Sequence, residues 1–108
     1  QFDAVYGVGR VDAIFVGPND LAASMHAADG TPPSPEVFEK TLAEILAGCR
    51  RLGVAAGIHC FSVDDARRRI NEGWQFIAIN SELKFMVDAA TQVVKGLGLA
   101  QTGELARY

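Results

Sequence analysis

The sequence predicts an α/β fold built on parallel strands, and three observations predict it. Val11-Asp12-Ala13-Ile14-Phe15-Val16 is almost continuously apolar and stops abruptly at Gly17-Pro18, as a strand covered on both faces does in a parallel sheet. Two further short apolar segments, residues 54–59 and 74–80, follow at intervals filled by helix-period stretches, which is the rhythm of βα units. Each segment then runs into polar residues, and α/β proteins place their ligands at the C-terminal ends of such strands.

Taken in order, Phe2, Val5 and Tyr6 share a face, so residues 1–6 read as the tail of an amphipathic helix. Gly7-Val8-Gly9 stops it. The Gly-x-Gly pair precedes a strand and lacks a third glycine at the right offset, so it reads as a turn and not as a dinucleotide fingerprint. Pro18 cannot donate to a strand ladder, which ends the first strand and leaves Asp20 just beyond it. Residues 20–25 suit a short helical turn whose first N–H groups favour an anion. Residues 26–33 are loop by their breakers.

Ser34-Pro35-Glu36 is a helix start: a serine N-cap, proline at the first helical position and an acid in the first turn. Phe38, Leu42, Ile45, Leu46, Cys49 and Leu52 then form one stripe, with Glu39, Lys40, Glu44 and Arg50 off it, and Gly53 ends the helix. Cys49 is therefore read as core. The second strand, residues 54–59, is rich in small residues, as where another backbone or a ligand approaches closely; His59 and Cys60 end it at the same mouth as Asp20. Ser62-Val63-Asp64-Asp65 opens a helix that Gly73 closes, with both acids complementing the helix dipole. After the third strand, Asn80-Ser81-Glu82 returns to the mouth; Glu82 and Lys84 read as loop or helix-start residues. Leu83, Met86, Val87, Ala90, Val93, Val94 and Leu97 make a last amphipathic helix, ended by Gly96 and Gly98, and a polar tail runs to Tyr108.

Composition narrows the function classes. The 108 residues are 49% hydrophobic and 21% charged with a formal net charge of −3, an ordinary globular balance that does not favour nucleic acid. Arg67-Arg68-Arg69 sits within an amphipathic helix and reads as a solvated face. No apolar run approaches the roughly 20 residues that span a membrane. Cys49 and Cys60 form neither a CxxC nor a zinc pattern and suit two reduced thiols of a cytoplasmic protein.

The motif Val16-Gly17-Pro18-Asn19-Asp20-Leu21-Ala22-Ala23-Ser24-Met25 resembles the sixth-strand motif of the HpcH/HpaI aldolase and citrate lyase family. The likeness continues through Pro35-Glu36-Val37, Ala56-Gly57-Ile58-His59 and Phe76-Ile77-Ala78-Ile79-Asn80 to Ser81-Glu82-Leu83, nearly the whole chain. It implies a (β/α)8 TIM barrel, of which 108 residues are well short of the roughly 250 of a complete one. The expectation is one partial barrel domain over residues 1–108: the C-terminal part, with about three βα units. The same resemblance implies a class II aldolase acting on pyruvate-type 2-oxo acids, with Asp20 as one of two carboxylates on a divalent cation. The backbone at Gly17, Pro18 and Asn19 would cradle the substrate carboxylate. The second carboxylate, the basic histidine and the substrate arginine would come from earlier strands.

The chemistry is self-consistent, because breaking a C–C bond beside a ketone needs stabilisation of an enolate, and Mg²⁺, Mn²⁺ or Co²⁺ supplies it as a Lewis acid. His59, Ser24 and His26 are candidates for the pocket wall. Two family features are altered: a glycine usual between methionine and histidine is missing at Met25-His26, and Asn80 stands where a glycine is frequent. The expected activity is reversible cleavage of a 4-hydroxy-2-oxo acid to pyruvate and an aldehyde through a metal-bound enolate, in a homo-oligomer, hexameric by resemblance. The alternatives are a citrate-lyase-like or malyl-CoA-like thioester lyase, and a non-catalytic module that binds an anion or pairs subunits. A doubly wound nucleotide-binding domain needs a glycine-rich loop after a strand, and the sequence has none.

Overall fold

The computed structural model describes residues 2–6, 8–9 and 11–98. Its elements follow in the order α1 (Phe2–Tyr6), β1 (Ala13–Val16), α2 (Pro18–Ser24), α3 (Pro35–Leu52), β2 (Ala55–Cys60), α4 (Val63–Glu72), β3 (Phe76–Ile79) and α5 (Glu82–Gly96). The strands form one sheet in the order β1-β2-β3, and both pairings are parallel. Consecutive strands are thus neighbours, as in a barrel wall, and the fold is the expected α/β arrangement of three βα units. The turn at Gly7, the shared face of Phe2 and Tyr6, and the tail from residue 99 lie outside the described residues and side chains.

Helix boundaries follow the chemistry of their ends. Ser34, Ser62 and Ser81 each cap a helix, accepting from the N–H of Val37, Asp65 and Lys84 respectively. Gly53 and Gly73 close α3 and α4 in the left-handed region, at φ 66° and 100°. Because Pro18 starts α2 immediately after β1, Asp20 lies inside that helix's first turn, two residues earlier than the expected helical start at Asp20 implied.

The two faces of the sheet differ. Ile14 and Val16 of β1 and Ala56, Ile58 and Cys60 of β2 are buried with Leu42, Leu46 and Cys49 of α3, Ala66 of α4, and Trp74. Cys49 is thus core, and the α3 stripe packs as its spacing implies. The opposite face carries Phe15, Gly57 and Phe76, which the register sets side by side across the three strands. There the two phenyl rings lie 5.3 Å apart, and a Cβ on Gly57 would stand 2.8 Å from the Phe15 ring and 2.9 Å from the Phe76 carbonyl oxygen. The small residue in β2 therefore admits two aromatic rings. On this face Phe15 is 45% and Phe76 57% exposed, so within the described residues β1 alternates buried and exposed positions.

The arginine run needs correction. Arg67 and Arg68 are exposed, but Arg69 is only 4% exposed and ties α4 to α3. Its two terminal nitrogens donate to both carboxylate oxygens of Glu39 at 2.8 Å, and Nη1 also reaches Glu72 at 3.1 Å. Trp74 donates its indole N–H to the same Glu72. Three consecutive residues span about 200° of a helix, so a residue at the edge of the run can reach the packed side; here the third turns inward and finds a bidentate acid. Burial alone would depress the Arg69 guanidinium, but the hydrogen bonds it donates to Glu39 and Glu72 outweigh it and hold the group above its ordinary value. The Arg69 hydrogen bonds in turn hold the Glu39 carboxyl below its own.

Two outcomes follow. Replacing Gly57 with valine should destabilise the intact protein by about 1–3 kcal/mol, because the backbone carbonyl of Phe76 cannot retreat as a side chain can; an unchanged denaturant midpoint would contradict the close approach. Arg69→Met should cost about 2 kcal/mol, less than a fully buried pair, since Glu39 keeps access to water. As Glu39 is depressed from 4.5, its contribution is complete above that pH and is lost as pH falls through the lower folded value. Unfolding free energies measured from neutral pH downward should therefore lose part of their acid slope in Glu39→Gln.

Candidate functional site

The parallel register brings three strand ends to one edge, and four of the residues singled out in the sequence meet there with His59. Gly17, Pro18, Asn19 and Asp20, from the end of β1 and the start of α2, line one cavity of about 380 Å³ together with His59, Phe61, Asn80, Ser81 and Lys84. Gly17 is the N-cap of α2 in extended conformation, with no side chain to cap the helix. The first intrahelical bond is Leu21 N–H to Gly17 C=O at 2.9 Å, so the amides of Asn19 and Asp20 precede it in the part of the helix that lacks intrahelical partners. Asp20 itself is exposed, and among the described residues no ion pair engages it. Its carboxylate folds back over Gly17, where a Cβ would stand 2.9 Å from Oδ2. The glycine leaves room for that carboxylate.

His59 and Cys60, adjacent in sequence, part company. His59 shares the strand face of Gly57 and lines the mouth, half-buried, with Nε2 at 3.0 Å from the Asn80 carbonyl oxygen and its ring 4.8 Å from that of Phe61. Cys60 points to the helix side and is fully buried, so it does not open on the mouth where its position at the strand end placed it. Burial, reinforced by Asp65, pushes its thiol up to about 11. It is a neutral core side chain at physiological pH.

Ser24 and His26 stand apart from this cavity. The Ser24 hydroxyl donates to the Leu21 carbonyl at 2.7 Å, one turn back on its own helix, and the side chain borders a second hollow that shares Gly17 and Asp20 with this cavity and runs beside Phe15 and Ile45. His26 is exposed in the loop beyond α2. Asn80 and Ser81 reach the mouth, where the sequence placed them, and so do Phe61, which sequence reading passed over, and Lys84, which it read only as a loop or helix-start residue. Lys84 lies in the first turn of α5 and pairs with Asp88 while bordering the cavity. The available signal was its place three residues after a serine cap at a strand end.

Among the described residues no group of three or more His, Cys, Asp and Glu side chains forms a metal cage, and no helix is long and apolar enough to cross a membrane. The exposed Asp20 carboxylate is one hard oxygen donor, the kind of ligand that Mg²⁺ sites with one or two protein carboxylates use.

Comparison with known proteins agrees with this geometry. A hydroxypyruvate/pyruvate aldolase of Paraburkholderia phytofirmans is 34% identical over 96 residues, covering 88% of this chain and 36% of the relative. A 5-keto-4-deoxy-D-glucarate aldolase of Citrobacter koseri is 41% identical over 81 residues, 75% of this chain and 31% of that protein. The crystal structure of an HpcH/HpaI aldolase/citrate lyase family protein from Burkholderia cenocepacia superposes with a TM-score of 0.77 at 29% identity, over 91% of this chain and 37% of that one. The chain thus spans about a third of the length of the curated relatives it matches. The strands of the Phe15 and Phe76 face are those of a barrel wall seen in part. With the family model for HpcH/HpaI aldolase/citrate lyase matching residues 1–89 as well, this chain belongs to the HpcH/HpaI aldolase/citrate lyase family.

Proposed function

We propose that this chain carries one side of the active-site mouth of a metal-dependent aldolase, which in its full-length form reversibly cleaves a 4-hydroxy-2-oxo acid to pyruvate and an aldehyde. The family is one of generally divalent-metal-dependent aldolases and lyases, and the relatives described above are aldolases. The observation that carries the reading is the exposed Asp20 carboxylate, lodged over Gly17 at the C-terminal edge of parallel strands. An oxygen donor of this kind suits Mg²⁺, Mn²⁺ or Co²⁺. When bound, the cation supplies Lewis-acid stabilisation of the negative charge that grows on the ketone oxygen as the neighbouring C–C bond breaks or forms.

The chain's own residues do the rest of this side's work. Asp20 holds the cation. The backbone at Gly17, Pro18 and Asn19 would cradle the 2-oxo acid's carboxylate, in a cavity that Lys84, paired with Asp88, also borders. Phe61 and Pro18 give the cavity apolar surface that limits water around the developing charge. The second carboxylate, a basic histidine and a substrate arginine belong, on this reading, to other strands of the full-length enzyme.

The same reading includes a homo-oligomer in the cytoplasm. No residue of α5 is buried among the described residues, and its Leu83, Met86 and Val93 are exposed, as is Leu97 just beyond it; on this reading the rest of the barrel and a second subunit share the cover of that stripe. Both cysteines are free and buried, in keeping with a reducing compartment.

The test is a pyruvate-release assay on the full-length enzyme with a 4-hydroxy-2-oxo acid, after chelation and after return of Mg²⁺, Mn²⁺ or Co²⁺. Loss and recovery of turnover are expected. Turnover indifferent to chelator would point to a lysine Schiff base, and inactivity with every metal to a thioester lyase or a non-catalytic module. Asp20→Ala should abolish metal-dependent turnover and the corresponding Mn²⁺ binding in calorimetry; normal values for both would refute the assignment. Gly17→Ala should weaken divalent-metal affinity about tenfold by displacing the carboxylate, the size of effect seen when a ligand loses its support, with the melting temperature almost unchanged.

A further inference from the structure

The wall of the mouth holds a second feature that the metal chemistry does not use. His59 Nε2 lies 3.0 Å from the carbonyl oxygen of Asn80. A carbonyl only accepts, so in the neutral ring this nitrogen carries the proton and Nδ1 keeps its lone pair. The ring is fixed on a second side by Phe61, whose ring lies 4.8 Å away at 34°. Asn80 is built to make this contact. Its N–H donates to the Cys60 carbonyl at 2.9 Å, the last link between β2 and β3. It then takes φ 52°, and is the one non-glycine residue with positive φ among those described. That left-handed turn swings its own carbonyl out of the sheet and back to His59, and asparagine is one of the few side chains that tolerate it.

We propose that His59 is a specificity-determining residue, held by the Asn80 carbonyl as the Nε2–H tautomer so that Nδ1 accepts a hydrogen bond from a hydroxyl group on the aldehyde portion of the substrate. Asn80 is the positioning residue that acts through it. The ligand class follows from the lone pair: a ketone, aldehyde or carboxylate oxygen has no proton to offer an acceptor, whereas a hydroxyl does. A site with a partly buried acceptor also penalises the analogue that leaves it unpaired. This proposal rests on the aldolase reading for its substrate and on the Asn80 contact for its geometry, and the two are tested separately.

The geometric half is read by ¹⁵N NMR of the full-length enzyme labelled at histidine, with the His59 signals assigned by their loss in His59→Gln. Wild type should show a protonated Nε2 and an unprotonated Nδ1. Asn80→Gly, which retains the left-handed turn and the carbonyl, should preserve that pattern, and Asn80→Val, which resists positive φ, should disturb it. A protonated Nδ1 in the wild type, or a pattern indifferent to Asn80→Val, would overturn the proposal.

The substrate half is read with pyruvate and two aldehydes, glycolaldehyde and acetaldehyde, as the ratio of their kcat/KM values. Wild type should favour glycolaldehyde. His59→Gln places an amide where Nε2 was and no acceptor at Nδ1, so the ratio should fall about tenfold, the worth of one hydrogen bond. His59→Asn sets its carbonyl oxygen near the position of Nδ1 and should restore part of the preference. An equal ratio in wild type and His59→Gln would overturn the role given to His59. Turnover of neither aldehyde by a folded, metal-loaded enzyme would overturn the aldolase reading and the hydroxyl assignment with it, while the spectrum still decides the tautomer.

Discussion

The register of β2 against its two neighbours governs both the packing and the chemistry of this chain. In that register Gly57 lies between Phe15 and Phe76, while Ile58 lies between Val16 and Ile77. Side chains alternate along a strand, so a slip of one residue would exchange the two faces completely. Cys60 would then open on the mouth and His59 would enter the helix-covered core. A side chain would also take the place of Gly57 between two phenyl rings that leave no room for a Cβ. The register that fills the core is therefore the one that places His59 beside Asp20.

The helix layer holds this arrangement from behind. Leu42, Leu46 and Cys49 of α3 press on Ile14, Val16 and Ile58, and that contact is apolar and without direction. Orientation comes from Arg69, whose bidentate bond to Glu39 fixes how α4 lies along α3. The pair is also near the site in space: Glu39, Arg68 and Arg69 border a hollow of about 520 Å³ that reaches Pro18, His59 and Phe61. That hollow carries Asp64 and Asp65 along with the two arginines, so its charges largely neutralise one another and it acts as scaffold behind the mouth. Buried ion pairs add little net stability when their desolvation is counted, but they are costly to break from one side, which suits a part whose purpose is alignment.

How far the sequence spoke depended on whether a feature was local. Serine caps, left-handed glycines and the stripe of α3 are properties of a few adjacent residues, and all appear where the spacing puts them. The elements that bring Asp20 to a strand end were legible for the same reason. Features that depend on a partner far along the chain were not. Arg69 looked like its two neighbours until Glu39 was seen 30 residues away. Lys84 gave no sign of bordering a cavity with Gly17, because that neighbourhood exists only once β1 and β3 lie on either side of β2. The one-sided exposure of β1 has a similar origin: an apolar strand records that it will be covered, but not by which part of a longer barrel.

Asn80 joins these two kinds of information. In sequence it stands where the resemblance would suggest glycine, and by itself that reads as a loss, since a left-handed residue other than glycine costs roughly 1–2 kcal/mol. In the structure the cost sits where β3 hands over to α5, with Ser81 capping the next helix immediately after it. The turn both ends the ladder to β2 and returns a carbonyl to His59, so the same backbone bend that closes the sheet also selects which nitrogen of the imidazole is free. A glycine would make the bend at lower cost but with more freedom in the unfolded and native chain. Asparagine tolerates the left-handed region while narrowing that freedom, so the bend that holds the carbonyl against His59 is made by a strained residue beside a binding site.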